Sequence, residues 1–215
     1  MTGSSPSSQG QAPESLAEGL RVPVRTGLMA DRGFIEVRFG GSGGQGVVLM
    51  GIVLATAANY DRRCVVQTES YGPEARGGYS RSDVIISDDP IDYPKLVHID
   101  LLVTLSQDAA NAYMKTLRRD GVLIYDSDKV TTLPSFNGTA IGLPLARLAT
   151  EEVGKAQTTN ILALGAVVGI TGIVSEESIR RAMLEEVPAG TQELNSRALA
   201  RGLAVEQAEW QVLRK

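Results

Sequence analysis

The chain has 215 residues and a formal net charge of −4, which is sufficient length for one domain with a sizeable hydrophobic core. No concentrated basic stripe occurs along it, so we expect no nucleic-acid partner. The single cysteine and the single histidine exclude a disulfide framework, a cysteine-rich zinc site and an iron–sulfur cluster ligated by this chain alone.

The first 32 residues contain no convincing strand pattern. Residues 1–13 are mostly Ser, Gly, Gln and Pro and lack the apolar core of a secretory signal, and no apolar run in the chain reaches membrane-spanning length. We therefore expect residues 1–32 to form a disordered or extended tail. Residues 33–215 are expected to form a single domain that ends in helices, in a soluble cytoplasmic protein without membrane contact.

Strand-like and helix-like segments alternate along the predicted domain. Strands are predicted at residues 35–39, 64–68, 82–87, 101–105, 122–125 and 139–142. Helices are predicted at residues 45–59, at 107–119 with Gly121 as the stop, at 144–153, at 160–170, after Ser175, and at 192–213.

The connection between the second and third predicted strands is too short for a helical crossover. These two strands therefore either pair antiparallel or the third joins the sheet elsewhere, and in both cases the sheet is mixed. Apolar strands alternating with helices indicate an α/β fold, a three-layer α/β/α sandwich with a mostly parallel, mixed Rossmann-like sheet.

The segment at residues 40–46 reads Gly-Gly-Ser-Gly-Gly-Gln-Gly and lies between the first predicted strand and the first predicted helix. It contains the G-x-G-x-x-G pattern, which leaves backbone N–H groups free at the start of the helix. Such a helix end attracts anions, although a tight turn without a ligand has the same pattern. The residues that we expect to hold a phosphate-bearing ligand are Gly41, Gly43, Gly44, Gln45 and Gly46.

A second glycine segment, residues 69–78, follows the second predicted strand. Its glycines and its proline fix a sharp path for the chain. Glu74 and Arg76 can pair with each other in a structural loop or bind a ligand, because the planar guanidinium suits phosphate and carboxylate groups. The candidate ligand contacts in this segment are Tyr71, Glu74, Arg76 and Gly77.

Ligands of parallel α/β sheets bind beyond the carboxyl ends of the strands. Besides the two glycine segments, residues 106–108 and 126–128 follow strand ends, and Ser106 is a candidate ligand contact as well as a predicted helix cap. Asp126 and Asp128 can hold a cation or a hydroxyl group, but we interpret them as solvated turn acids. Cys64 is interpreted as a core residue.

A nicotinamide-dependent oxidoreductase is an alternative interpretation. Glu69 follows Gly46 by about twenty residues, where a dinucleotide-binding protein places its ribose-binding acid. Such an enzyme would use Gly41 and Gly43 as well, but the chain offers no plausible constellation for proton transfer. A structural module with an empty nucleotide fold is a third interpretation.

The two glycine segments together resemble the gamma subunit of the 2-oxoacid:ferredoxin oxidoreductases. That family combines a Gly-x-Gly-Gly-Gln-Gly turn with a Ser-Tyr/Phe-Gly-Pro-Glu-x-Arg-Gly segment, which are found here at residues 41–46 and 70–77. Residues 81–91 and 160–165 are also similar to the family, so the resemblance covers about residues 34–190. Residues 70–78 are most similar to the 2-oxoglutarate branch.

The resemblance implies a multi-subunit enzyme that converts a 2-oxoacid and coenzyme A (CoA) to CO2 and an acyl-CoA, here succinyl-CoA, and reduces ferredoxin. It places thiamine diphosphate with Mg2+ between alpha and beta subunits. It places the 4Fe–4S clusters in the beta subunit and in a small ferredoxin-like delta subunit. The resemblance therefore implies a chain with no catalytic residue, metal or bound cofactor of its own, which assists CoA binding and assembly.

The Arg76→Ala substitution in the assembled enzyme is expected to raise the Michaelis constant for CoA by about ten- to a hundredfold. A charge-assisted hydrogen bond to phosphate contributes roughly 1.5–3 kcal/mol, and this contribution would be lost. The Michaelis constant for the 2-oxoacid should change little, and steady-state kinetics with each substrate varied separately measures both. If Arg76 only pairs with Glu74, the variant instead loses assembly or heat stability and the intact complex keeps its CoA constant.

Overall fold

The computed structural model describes residues 29–71 and 78–214, with one seven-stranded sheet at its centre. The strands are β1 (Phe34–Ser42), β2 (Cys64–Tyr71), β3 (Tyr79–Ser87), β4 (Ile99–Thr104), β5 (Leu117–Asp126), β6 (Thr139–Leu143) and β7 (Gln211–Arg214). They lie side by side in the order β2-β3-β1-β4-β5-β6-β7.

Six α-helices are present in the described residues. They are α1 (Val47–Tyr60), α2 (Gln107–Tyr113), α3 (Leu145–Leu148), α4 (Thr159–Thr171), α5 (Glu176–Glu186) and α6 (Gln192–Leu203). The predicted cap of α5 is confirmed, because the Ser175 hydroxyl accepts a hydrogen bond from the Ser178 N–H and two glutamates follow in the first turn. Within the described ranges, no helix combines the length and the apolar character needed to cross a membrane.

The sheet is mixed, as predicted. Strands β1, β4, β5 and β6 pair parallel, whereas β3 pairs antiparallel with both β1 and β2, and β7 pairs antiparallel with β6. The second and third strands are therefore antiparallel neighbours, and β3 separates β2 from β1. This insertion is the main departure from a dinucleotide-binding sheet, in which the first two strands are adjacent.

The main hydrophobic core lies between one face of the sheet and α1, α4, α5 and α6. Alternate residues of β1, namely Ile35, Val37 and Phe39, are fully buried against these helices. Eleven of the 13 residues of α4 are buried, so α4 is a central helix with neighbours on most of its surface. Met29 also joins this core, and its N–H donates to the Thr171 carbonyl over 3.1 Å.

Glycines allow α4 and α6 to approach until their backbones touch. A Cβ atom on Gly202 would overlap the Leu162 carbonyl oxygen, and one on Gly169 would lie 2.8 Å from the carbonyl oxygen of Leu203. The small residues of α4, which also suit a contact between subunits, are therefore used for packing within the domain.

The opposite face of the sheet has a smaller cover. Helix α2 and the segment at residues 127–138 pack over β4, β5 and β6, and Leu102, Tyr113, Leu123 and Val130 form a second core there. Towards β1 and β3, the described helices cover this side only through the end of α2, where the Tyr113 ring lies against Arg38 and Tyr79. The three predicted layers are confirmed, but the third layer is partial.

Two predicted helices are too long. Helix α2 ends at Tyr113, and Gly121 lies within β5 rather than at a helix end, because the chain from Leu117 onward joins the sheet beside β4, where Leu117 pairs with Ile99. Helix α6 ends at Leu203, and a short turn with Glu209 in a capping box leads into β7, a strand that the sequence pattern did not indicate.

The Gly202→Ala substitution should destabilise the fold by about 1–3 kcal/mol, because the added methyl group overlaps the backbone of α4. The direction of the change in stability is informative, because a Gly→Ala substitution in an exposed helix instead stabilises by up to about 1 kcal/mol. Glu193→Ala, at an exposed position of the same helix, is the control and should change stability by less than about 0.5 kcal/mol. Denaturant unfolding measures both, and a Gly202→Ala chain as stable as the wild type would contradict the packing described here.

Candidate functional site

The first glycine segment begins within β1 and turns into α1. Gly40 is still a strand residue, and its carbonyl accepts a hydrogen bond from the Leu105 N–H over 2.9 Å. The turn itself needs glycine, because Gly44 and Gly46 have φ angles of 85° and 73° in the left-handed region. The Gly43 N–H donates to the Gly78 carbonyl over 3.0 Å, so the end of the second glycine segment lies against this turn.

The Gln45 side chain fixes the turn to the end of β4. Its Oε1 accepts a hydrogen bond from the Ser42 N–H over 2.6 Å, and its Nε2 donates to the Leu105 carbonyl over 3.1 Å. Both polar ends of the amide therefore have partners within the chain. Gly41 permits this arrangement, because a Cβ there would lie 2.7 Å from Oε1 of Gln45.

The N-terminus of α1 has no side-chain cap. Gly46 occupies the capping position, and no acidic residue lies in the first turn. Asn160, at the start of α4, packs against Gly46 and donates to its carbonyl over 3.3 Å. The first N–H groups of α1 are thus not capped by a side chain, which is the arrangement that binds phosphate groups at helix N-termini.

A cavity of about 340 Å³ opens beside this turn, at the carboxyl ends of the parallel strands. Its volume lies near the lower end of the range for small-molecule sites. Its walls combine the glycine turn, the ends of β4 and β5, and the turns on either side of α3: Gly44, Gln45, Leu105, Asp126, Lys129, Ala146, Thr150, Ala156, Gln157 and Thr159.

A second cavity, of about 350 Å³, lies on the other side of the turn that precedes α4. It shares Gln157 with the first cavity and is lined by more apolar surface, including Leu49, Pro188 and Leu194. Lys155 lies at its wall. The two cavities therefore flank the same short segment.

Asp126 is buried in the wall of the first cavity, with 1% of its surface exposed. Its two carboxylate oxygens accept hydrogen bonds of 3.1 Å from the N–H groups of Asp128 and Ala146. Burial raises the pKa of Asp126, and these two N–H groups oppose the shift only in part. The interpretation of Asp126 as a solvated turn acid was wrong, because the residue continues the buried face of β5. Asp128 is exposed, as expected.

The predicted site residues fall into three groups. Gly44 and Gln45 line the first cavity, and the other glycines of the turn shape it. Ser106 caps α2, its hydroxyl accepting from the Ala109 N–H over 3.3 Å. Tyr71 ends β2, and Glu74, Arg76 and Gly77 lie outside the described residues. Cys64 is exposed on β2, so its interpretation as a core residue was wrong.

Several residues of the first cavity were not identified from the sequence. Lys129, Thr150, Gln157 and Thr159 come from three separate turns. No spacing pattern links these turns, because only the parallel sheet brings them together.

The position of Glu69 does not suit a nicotinamide site. This residue pairs with Ser82 of β3, which in turn pairs with Phe39 of β1. Two strand spacings, about 10 Å, therefore separate Glu69 from the strand that leads into the glycine turn. In dinucleotide-binding folds the ribose-binding acid belongs to the strand adjacent to the first.

Comparison with known proteins agrees with this geometry. The family model described as pyruvate ferredoxin/flavodoxin oxidoreductase matches residues 36–205, and the chain belongs to this family. It is 46% identical over 173 residues to the 2-oxoglutarate synthase subunit KorC of Methanocaldococcus jannaschii, covering 79% of this chain and 92% of that protein. The chain is the gamma subunit of a 2-oxoacid:ferredoxin oxidoreductase, and so one subunit of an oxidoreductase complex.

Solved structures show the same relationship. The gamma subunit of a keto/oxoacid ferredoxin oxidoreductase from Geobacter sulfurreducens is 43% identical, with a TM-score of 0.76 over 83% of this chain and 99% of that one. The 2-oxoglutarate:ferredoxin oxidoreductase from Magnetococcus marinus shares the fold at 19% identity and a TM-score of 0.71. This chain covers 83% of its own length in that match but only 32% of the Magnetococcus chain.

The raised pKa of Asp126 predicts how stability depends on pH. Between the ordinary value of 3.8 and the raised pKa, the folded chain binds more protons than the unfolded chain. The free energy of unfolding contributed by this group therefore falls as the pH rises through that window.

Denaturant unfolding of the wild type and of Asp126→Asn at a series of pH values measures this contribution. The wild-type minus variant difference should decrease as the pH rises above about 4. The asparagine also loses one backbone hydrogen bond, which shifts the difference in free energy of unfolding by the same amount at every pH. The test therefore depends only on how this difference changes with pH. A wild-type minus variant difference that does not change with pH would contradict a raised pKa of Asp126 in the folded chain.

Proposed function

We propose that this subunit binds CoA at the glycine turn and the adjoining cavity, within a complex that converts 2-oxoglutarate to succinyl-CoA and CO2. The observation that carries the proposal is the uncapped N-terminus of α1, which opens beside a cavity of about 340 Å³. The likeness to the Magnetococcus enzyme supports it, because that protein is described with 2-oxoglutarate, CoA and succinyl-CoA bound.

The chemistry of the cavity suits part of a CoA molecule. The first N–H groups of α1 can receive a phosphate, and the Lys129 ammonium, at the cavity wall, adds a positive charge. Leu105 and Ala146 supply apolar surface in the same wall. Arg76 is proposed to add a guanidinium from the second glycine segment, whose last residue lies against the turn.

The other cofactors are proposed to belong to partner chains. A 4Fe–4S cluster needs cysteine thiolates, and this chain has one cysteine. We therefore assign thiamine diphosphate with Mg2+ and the clusters to alpha, beta and delta subunits, and ferredoxin is the proposed electron acceptor. The proposed location of the complex is the cytoplasm, a reducing compartment in which an unpaired cysteine such as Cys64 persists.

A purely structural role is the second candidate function. Its support is that Gln45 and Asp126 direct their polar atoms to partners within the chain rather than leaving them free in the cavity. On this view the glycine turn only positions α1, and CoA would bind on other subunits.

The Gly44→Asp substitution distinguishes the two functions by placing a carboxylate where the phosphate is proposed to bind. Gly190→Asp is a matched control, because the two glycines have φ angles of 85° and 83° and a Cβ on either meets no atom within 4 Å. Both variants thus gain the same charge and comparable backbone strain.

In the assembled enzyme, Gly44→Asp should raise the Michaelis constant for CoA by about tenfold or more, through repulsion of the phosphate and loss of its hydrogen bonds. The control should stay within about twofold, and the constant for 2-oxoglutarate should change little in both variants. Steady-state kinetics on the purified complex gives these values. Equal CoA constants in the two variants would remove the glycine turn from the CoA site and leave the structural role.

A further inference from the structure

The second cavity, of about 350 Å³, takes no part in the CoA binding proposed above. It lies between the first turn of α1, the segment that leads into α4 and the start of α6. Three residues of its wall are apolar, namely Leu49, Pro188 and Leu194, and the other wall residues are polar or charged. A cavity of this size, with a few polar groups in a largely apolar wall, has the character of a small-molecule site.

Two asparagines of this wall are buried, and each keeps one acceptor without a donor. Asn160 is 6% exposed and Asn195 is 8% exposed. Nδ2 of Asn160 donates to the Gly46 carbonyl over 3.3 Å. Nδ2 of Asn195 donates to the carbonyl and the hydroxyl oxygen of Thr191 over 3.0 and 2.9 Å. Within residues 29–71 and 78–214, no group donates to Oδ1 of either asparagine.

The two Oδ1 atoms select the kind of group that can occupy the cavity. Neither atom is sealed inside the protein, and the open space that both side chains border is the cavity. A polar atom that is shielded from bulk water and lacks a partner is unfavourable, so a bound molecule is favoured if it presents N–H or O–H groups here. An ammonium group suits two amide oxygens best, because it has three donors and a positive charge.

Another part of the wall attracts a carboxylate. In the described part of this wall, Lys155 supplies the only charged side chain, and it is exposed. Helix α6 begins beside it, and its capping residue, Thr191, gives no side-chain hydrogen bond to the first turn. The first N–H groups of α6 are therefore available to an anion. Glu193, in the same turn, is exposed and does not belong to the wall.

We propose that the second cavity binds a small molecule with an apolar body, an ammonium group and a carboxylate, which is the chemistry of an apolar α-amino acid. The body lies against the three apolar wall residues, the ammonium group donates to the two asparagines, and the carboxylate binds Lys155 and the start of α6. The described wall contains no carboxylic acid, histidine or cysteine, so the ligand is bound without being converted. The inference does not rest on the CoA site.

The test compares L-leucine with two analogues that each lack one charged group. The analogue 4-methylpentanoate has no ammonium group, and 3-methylbutan-1-amine has no carboxylate. Isothermal titration calorimetry on the purified complex measures the three dissociation constants. L-Leucine should bind with a dissociation constant below about 1 mM, and each analogue about tenfold or more weakly, because each loses charge-assisted hydrogen bonds.

Substitutions in the wall assign each charged group of the ligand to its partner. Lys155→Gln should weaken L-leucine and 4-methylpentanoate by about fivefold or more and leave the amine unchanged. Asn195→Leu should weaken L-leucine and the amine to a similar extent and leave 4-methylpentanoate unchanged. Lys115→Gln, at an exposed position outside the cavity, is the control and should change no constant by more than about twofold. A variant that only disturbs the fold would instead weaken all three ligands alike.

Three results would overturn the proposal. Absence of binding by L-leucine at millimolar concentration would show that water satisfies the two asparagines. Competition between L-leucine and CoA would assign the second cavity to CoA. Binding to the isolated full-length chain but not to the complex would show that a partner chain fills the cavity. The Gly44→Asp variant should bind L-leucine as the wild type does, whatever its CoA constant, so the two proposals can fail separately.

Discussion

The pairing of β1 with β3 is the constraint on which the rest of the structure depends. It runs antiparallel for the whole of β1, from Phe34 opposite Ser87 to Ser42 opposite Tyr79. Because β3 occupies this place, β2 moves to the edge of the sheet and the second glycine segment returns to the glycine turn, where Gly78 accepts a hydrogen bond from Gly43. The same pairing brings Arg38 opposite Asp83, and the two side chains pair on the face of the sheet that carries α2.

The helical side of the domain supports the site by close packing. Helix α4 approaches α6 through glycine contacts, and its first turn brings Asn160 against Gly46. The turn that precedes α4 forms a wall shared by both cavities, through Gln157. The position of the glycine turn relative to the cavities therefore follows from the packing of the core, and not from the turn sequence alone.

The sequence was informative where local patterns determine structure. The alternation of strands and helices, the Ser175 cap and the mixed sheet were predicted correctly, and the two glycine segments identified the family. Tertiary interactions decided the remainder. The pairing of β5 with β4 ends a predicted helix early, and the topology of the sheet buries Asp126 and leaves Cys64 exposed. Of the residues that line the first cavity, Gly44 and Gln45 were candidates from the sequence, whereas Lys129 and Thr159 were not, because they come from distant parts of the chain.

The buried pair of Arg38 and Asp83 has a consequence for how such sequences diverge. Loss of Asp83 leaves the Arg38 guanidinium buried without a counter-ion, at a cost of about 3–5 kcal/mol, which is a large part of the stability of an ordinary domain. Loss of Arg38 leaves Asp83 with Arg81 alone, over a longer distance of 3.7 Å. Replacement of both by apolar residues is far less harmful, but it requires two changes, and the first is strongly deleterious. The two positions should therefore be inherited as a unit, and lineages that lack the arginine should lack the aspartate too.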